Sequence, residues 1–344
     1  MMEKTILVTG GAGFIGSNFV RHIFQKYPNY KIIVLDALTY AGSVDNFLSG
    51  YKDDPRFTFW YGNVRNGELV NTLVAQADIV FHFAAESHVA RSIFDNMVFY
   101  ETDVLGTQVV VNAVLKHRKS VEKFVHISSS EVYGTAIQDP MTEEHPLNPL
   151  TPYASAKTGA DRLVYSYWKT YKIPVVIVRP FNNYGPYQHL EKAIPRFITS
   201  ALLDEPLTIH GNGECERDWV FVEDCCLGLE KILNTDPLEI AGEVINLGTG
   251  SSRAIISVAR LILSKMGKPD SLIKHITDRP GQVDRHISST EKSAALLSWK
   301  TETCFEAGLE KTIQWYKENR FWWEKRLWMR SIQVVLENGQ RAYY

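Results

Sequence analysis

Two kinds of apolar patterning alternate along the first half of the chain. Short runs rich in β-branched residues, bounded by turn residues, predict buried strands at Ile6-Leu7-Val8, Lys31–Leu35, Asp78–Phe83, Lys123–Ile127 and Pro174–Val178. Between them the apolar residues recur at helical spacing, as from Phe14-Ile15 to Phe19-Val20. Strand and helix in alternation predict an α/β protein, a doubly wound parallel sheet with helices on both faces.

Beyond about residue 180 this regularity is lost, because Pro180, Gly185-Pro186, Pro195, Pro206 and Gly211-Asn212-Gly213 cut the chain into short pieces. The change divides the chain into residues 1–180, a smaller C-terminal α/β substrate-binding lobe at 181–320, and a tail at 321–344. Two segments near 220–247 are apolar enough to return to the first lobe. The tail, with Trp322, Trp323 and Trp328, reads as a helix packed on the body or on a partner subunit.

Composition narrows the function classes. The 344 residues carry 37 Lys+Arg against 39 Asp+Glu, a net charge of −2, with 45% hydrophobic residues. Nucleic acid and anionic membranes attract a basic excess that this chain lacks, so neither is an expected partner. Cys215, Cys225, Cys226 and Cys304 include no C-x-x-C pair, so no metal site is expected. Without a signal-peptide pattern or a bilayer-length apolar run, the expected compartment is the cytoplasm.

The glycine cluster Gly10-Gly11-Ala12-Gly13-Phe14-Ile15-Gly16 lies between the first strand and the first helix. Gly10 suits a tight turn, Gly13 lets a pyrophosphate approach the backbone, and Gly16 lets the helix sit close to the sheet, a Rossmann-type arrangement. Asp36 ends the second strand twenty positions after Gly16, where a carboxylate accepts from ribose hydroxyls and repels a 2′-phosphate. The expected cofactor is NAD rather than NADP.

Tyr153 and Lys157 stand four residues apart, on one helix face. A cation beside a phenol favours phenolate, so Tyr153 is a candidate base for a hydroxyl proton. Ser128-Ser129-Ser130-Glu131 follows the Lys123–Ile127 strand at the sheet edge where ligands bind in open α/β folds. Glu131 there is a candidate acid or base.

Together these motifs resemble the extended short-chain dehydrogenase/reductases, and more closely the nucleotide-sugar 4,6-dehydratases of the dTDP-glucose type, over about residues 4–320. The resemblance includes Leu38-Thr39-Tyr40-Ala41-Gly42, Ala84-Ala85-Glu86-Ser87-His88-Val89, Asn182–Gln188, Glu191–Pro195, Arg217–Asp224 and Asp278–Gly281. It implies cofactor contacts from the glycine loop with Phe14 and Ile15, from Asp36, from Asn63, Val64 and Ala84, and from Tyr153 and Lys157. It implies catalytic roles for Ser129, Ser130, Glu131, Tyr153 and Lys157. Substrate contacts are implied for Ser87, His88, Asn182 and Lys192, and phosphate contacts for Arg217, Asn246 and Arg285.

The implied reaction oxidises C4 of a nucleotide-diphosphate sugar, removes water across C5 and C6, and reduces C6. The chain departs from the pattern at Ser130, where dTDP-glucose enzymes carry aspartate, and at Asn63 and Ala90, which also replace aspartates. Serine is too weak an acid to protonate a departing hydroxyl, which leaves both proton transfers to Glu131. Decarboxylation of a UDP-glucuronate, 4-epimerisation and dehydration of an amino-sugar nucleotide remain alternatives on this scaffold. Helices near Val98–Lys116 and Tyr153–Lys169 correspond to those that pair relatives into homodimers.

Overall fold

Each expected strand forms within a residue or two of its predicted ends in the computed structural model, which describes residues 3–47, 50–278, 280–331, 333–335 and 341–343. They are β1 (Lys4–Thr9), β2 (Tyr30–Asp36), β4 (Ile79–His82), β5 (Lys123–Ile127) and β6 (Val175–Pro180). β3 (Phe57–Tyr61) is an addition. Its outer end leaves Trp60 and Tyr61 exposed, so the apolar run does not mark a buried strand. In the second lobe follow β7 (Asn182–Tyr184), β8 (Leu207–His210), β9 (Glu216–Phe221), β11 (Ser252–Ala254) and β12 (Ile273–Ile276), while β10 (Val244–Leu247) joins the main sheet.

The main sheet has seven strands in the order β10-β6-β5-β4-β1-β2-β3, every neighbouring pair parallel. Side-chain alternation builds a core on each face. Ile6, Val8, Ile32 and Val34 pack with Phe19 and Val20 on one side. Leu7, Ile33 and Leu35 pack with Val110 and Val114 on the other. The strand order reverses direction between β1 and β4, and a ligand cleft opens there beyond the carboxyl ends of the strands.

The helix Val222–Asn234 and β10 return to this body. Cys225, Leu229 and Ile232 bury in the same core as Val20, and Ile245 pairs in register with Val178. The second lobe has its own core, in which Ile194, Phe197 and Ile198 of the helix Ala193–Leu202 meet Ile256, Leu309 and Trp322.

The tail is not one continuous helix. A helical turn at Arg320–Trp323 is followed by a 3₁₀ turn at Glu324–Arg330 and two short paired strands, Gln333–Val335 and Arg341–Tyr343. Trp322 and Trp323 are buried and donate their indole N–H groups to Asn46 Oδ1 (2.9 Å) and the Tyr316 carbonyl (2.7 Å). These two fixed anchors override continuation of the helix. Among the described residues, no helix is long and apolar enough to cross a membrane.

Candidate active site

Backbone geometry shapes the cofactor end of the cleft. Gly10 has φ +70°, and a Cβ there would lie 2.5 Å from the Ala84 nitrogen. A Cβ on Gly16 would lie 2.4 Å from the Gly10 carbonyl oxygen, so the helix Phe14–Lys26 approaches the loop as closely as glycine permits. That helix has no side-chain cap, which leaves first-turn N–H groups for an anion.

Asp36 is held by two amides, from Ala12 N (2.9 Å) to Oδ2 and from Leu38 N (2.8 Å) to Oδ1. Burial pushes its carboxyl up and these amides pull it back. Each oxygen keeps a lone pair for a ribose hydroxyl. Gly10, Gly13, Phe14, Ile15, Gly16, Asp36, Asn63, Val64 and Ala84 all line a single cavity of about 450 Å³, a cradle that fits a dinucleotide.

The same cavity continues past Ser129, Ser130, Glu131, Tyr153 and Lys157. Thr151 Oγ1 accepts from Ala154 N (3.2 Å) and Pro152 opens the helix Pro152–Tyr171, which fixes Tyr153 and Lys157 one turn apart. Ser129 caps the next turn by accepting from Glu131 N (3.2 Å), and its hydroxyl bonds the Tyr153 phenol.

Burial, rather than a neighbouring cation, dominates the Tyr153 phenol. Burial raises it, the Ser129 bond opposes, and the Asp103 and Glu131 charges raise it further. Lys157 instead donates to the Ile127 carbonyl (2.7 Å), and its charge faces Asp103 and Asp161. Burial pushes Lys157 down and Asp103 up. Asp103 sits on the π-helical stretch Tyr100–Gly106, accepts from Glu86 N (2.7 Å) through Oδ1, and keeps Oδ2 buried without a hydrogen-bond partner.

Two of the expected phosphate contacts are not among the residues that line the cavity. Asn246 is fully buried behind the cavity, where Oδ1 accepts from Tyr133 Oη (2.8 Å) and Nδ2 donates to the Met141 carbonyl (3.1 Å). It braces Tyr133, which Arg179 Nη1 also holds (2.9 Å), while Arg179 pairs with Asp161 through Nε and Nη2 (2.9 and 3.0 Å). Arg285 also lies outside the lining and forms half-exposed ion pairs with Asp139 (2.6 Å) and Glu216 (3.0 Å).

Ser87, His88, Asn182, Lys192 and Arg217 do line the cavity. Lys192 donates to the Ser87 carbonyl (2.6 Å), and Arg217 to the Glu216 carbonyl (2.9 Å). Asn182 Oδ1 is buried without a partner.

Several residues at the site carry no reading from sequence alone. Glu191 lies in the quoted Glu191–Pro195 motif, where Lys192 draws attention first. Burial pushes its carboxyl up to about 7, with Lys192 and Arg91 opposing. Arg196 and Arg330 meet at the far end of the cavity, where burial and the neighbouring cation hold Arg196 down. His286 stands directly behind Ser130, at 3.4 Å. Its signal was its place beside the Asp278–Gly281 motif. Arg330, within the tryptophan-rich tail, had none.

Comparison with known proteins sharpens this picture. The chain is 44% identical over 311 residues to a low-salt glycan biosynthesis protein of Haloferax volcanii, covering 90% of this chain and 98% of that one. It is 39% identical over 323 residues to a dTDP-glucose 4,6-dehydratase of Streptomyces niveus, covering 93% and 94%. The crystal structure of a Streptomyces venezuelae dTDP-glucose 4,6-dehydratase with NAD and TYD bound superposes with a TM-score of 0.89 at 40% identity, over 93% of this chain and 99% of that one. Residues 7–312 match the GDP-mannose 4,6 dehydratase family, and the chain belongs to it.

Proposed function

We propose that the protein is an NAD-dependent nucleotide-sugar 4,6-dehydratase, a hydro-lyase that converts a nucleotide-diphosphate hexose of the dTDP- or UDP-glucose type to its 4-keto-6-deoxy form. The observation that carries the reading is the convergence of Tyr153, Ser129 and Glu131 on the cavity that begins at the glycine loop and Asp36. When bound, NAD supplies a two-electron acceptor that takes a hydride at C4 and gives it back at C6.

The residues of the chain manage the protons. Tyr153 acts as its phenolate, which burial disfavours and the hydrogen bond from Ser129 favours, and so receives the C4 hydroxyl proton. The ketone at C4 acidifies C5–H, which Glu131 removes and passes to O6 as the C6–O bond breaks; when the hydride returns to C6, C5 takes a proton from solvent through the freed Glu131 carboxylate, and the proton on Tyr153 leaves to solvent. Lys157 holds the floor of the site through Ile127. Arg217 suits the diphosphate, for which a guanidinium fork is matched. Simple 4-epimerisation needs no base at C5, so Glu131 favours dehydration.

The reading includes a homodimer acting in the cytoplasm. Met97, Val98, Tyr100 and Leu105 expose apolar surface on the segment expected to pair, and Cys215, Cys225, Cys226 and Cys304 are free thiols.

Incubation of the purified protein with dTDP-, UDP- and GDP-hexoses, followed by mass spectrometry, should show loss of one water. Loss of carbon dioxide from UDP-glucuronate, or no change with any of them, would overturn the reading.

A further inference from the structure

At the far end of the cavity two polar side chains stand without partners. The helix Ala193–Leu202 buries Ile194, Phe197, Ile198 and Ala201 in the core of the second lobe, and Arg196, one turn beyond Lys192, lines the cavity. Its guanidinium makes no hydrogen bond or ion pair among the described residues, while burial and the charge of Arg330 both weigh on it. On β8, which packs beside this helix, Leu207 and Ile209 bury in the same core. Thr208, on the alternate face of the strand, lines the cavity. Its Oγ1 is buried and has no hydrogen-bond partner among the described residues.

The surroundings indicate what these two groups await. With the sugar at Tyr153 and Glu131 and the diphosphate at Arg217, the far end is left to the nucleoside. Phe197, Ile255 and Met329 give it apolar walls. A phosphate gains nothing from such walls, whereas the flat ring of a base buries its faces against them and presents its polar edge to a few fixed groups.

We infer that Arg196 and Thr208 read the nucleobase, and that Arg196 selects a pyrimidine with a carbonyl oxygen at C4, as in uracil and thymine, over one with an amino group there. The inference rests on the dehydratase reading, which brings a nucleotide to this cavity, and deepens it by naming the class of base. A guanidinium only donates. O4 of uracil or thymine accepts from it, while the C4 amino group of cytosine, itself a donor, leaves the guanidinium unpaired. The Thr208 hydroxyl accepts N3–H of uracil or donates to the bare N3 of cytosine, so it holds either ring. Uracil and cytosine share one ring and nearly one size, which places the selection on that single edge.

The test measures binding of UDP, dTDP and CDP to the full chain loaded with NAD, by calorimetry, so that the diphosphate contribution cancels. Wild type should bind UDP and dTDP at least about tenfold more tightly than CDP, the scale of one hydrogen bond to a charged group. Arg196→Met, which keeps much of the side-chain length, should weaken UDP by about tenfold, leave CDP within about twofold, and bring the two affinities together. Thr208→Val, of the same shape, should weaken both by about fivefold and preserve their ratio. Equal affinities for UDP and CDP in wild type overturn the inference, and so does an Arg196→Met that weakens both by the same factor, the mark of a phosphate contact. Wild-type affinity for UDP in Thr208→Val overturns the part given to Thr208. Should Arg196→Met not fold, the wild-type ratio decides. A chain that ranks UDP above CDP yet dehydrates no hexose overturns the dehydratase reading and leaves the base selection standing.

Discussion

The two ends of the cavity are built in different ways. At the cofactor end the decisive atoms belong to the backbone or are held by it: the loop around Gly10 and Gly16, and Asp36 clamped by two amides. At the substrate end they belong to long side chains from separated elements, among them Lys192, Arg196, Arg217 and Arg330. Backbone sites tolerate almost no substitution because the whole loop must move to admit a carbon atom. Side-chain sites can be retuned one residue at a time while the scaffold stays as it is.

Between the ends stands Tyr153, and its loss should be the most damaging. Tyr153→Phe keeps the ring packing against Phe99 (6.2 Å between centroids) while removing the proton acceptor. Steady-state assays should show kcat down by roughly 10²–10⁴, with NAD affinity by calorimetry little altered. A variant that keeps wild-type kcat would break the shared-centre picture.

Next in size, Gly16→Ala should cost roughly 1–3 kcal/mol by denaturant unfolding, since its Cβ meets backbone at 2.4 Å. Added NAD should stabilise that variant less than wild type. If Gly16→Ala unfolds like wild type, the rigid-loop half of the contrast is wrong.

The arginines at the other end should separate cleanly. Arg217→Ala should raise substrate KM by about tenfold or more, as expected for loss of a charge-assisted phosphate contact. Arg285→Ala, whose ion pairs are half-exposed, should leave KM within about twofold and cost at most about 1 kcal/mol of stability. A larger KM effect at Arg285 would restore its role as a phosphate ligand.

The smallest effect concerns pH. Burial keeps His82 at about 3 and His189 and His286 at about 4 in the folded chain, against 6.5 in the unfolded one. The unfolded state therefore binds more protons in that window, and the stability these residues contribute is lost as pH falls from about 6.5 to about 3. Glu191 works in the opposite sense: raised from 4.5 to about 7, it stabilises most below 4.5 and loses that contribution as pH rises through 7. Glu191→Gln should steepen the rise of melting temperature between pH 4.5 and 7; an unchanged slope would show that Glu191 titrates normally.

This contrast also explains what could be read before the fold was known. Strands buried on both faces announce themselves as β-branched runs, and Gly10, Gly16 and Asp36 act at fixed short spacings, so the sheet and the cofactor cradle were legible. β3 was not, because an edge strand with exposed Trp60 and Tyr61 has no buried pattern. The bonds that Asn246 and Arg285 make within the protein were not legible either, because a motif position does not reveal which partner meets the side chain. Asp103 and His286 become visible only when distant segments meet, as Ser130 and His286 do across 156 positions.

The tail adds a second tie between the two lobes, beside bonds such as that of Lys192 with the Ser87 carbonyl. Arg326 holds Ser43 Oγ (2.6 Å) and Asp45 (2.8 Å), Trp322 holds Asn46, and Asn46 Nδ2 in turn donates to the Ala12 carbonyl (2.8 Å) inside the glycine loop. A few residues later Arg330 bonds Ser200 (3.1 Å) and Glu205 of the second lobe. The segment 320–330 is therefore a lacing that stitches the lip of the nucleotide cradle to the opposite bank.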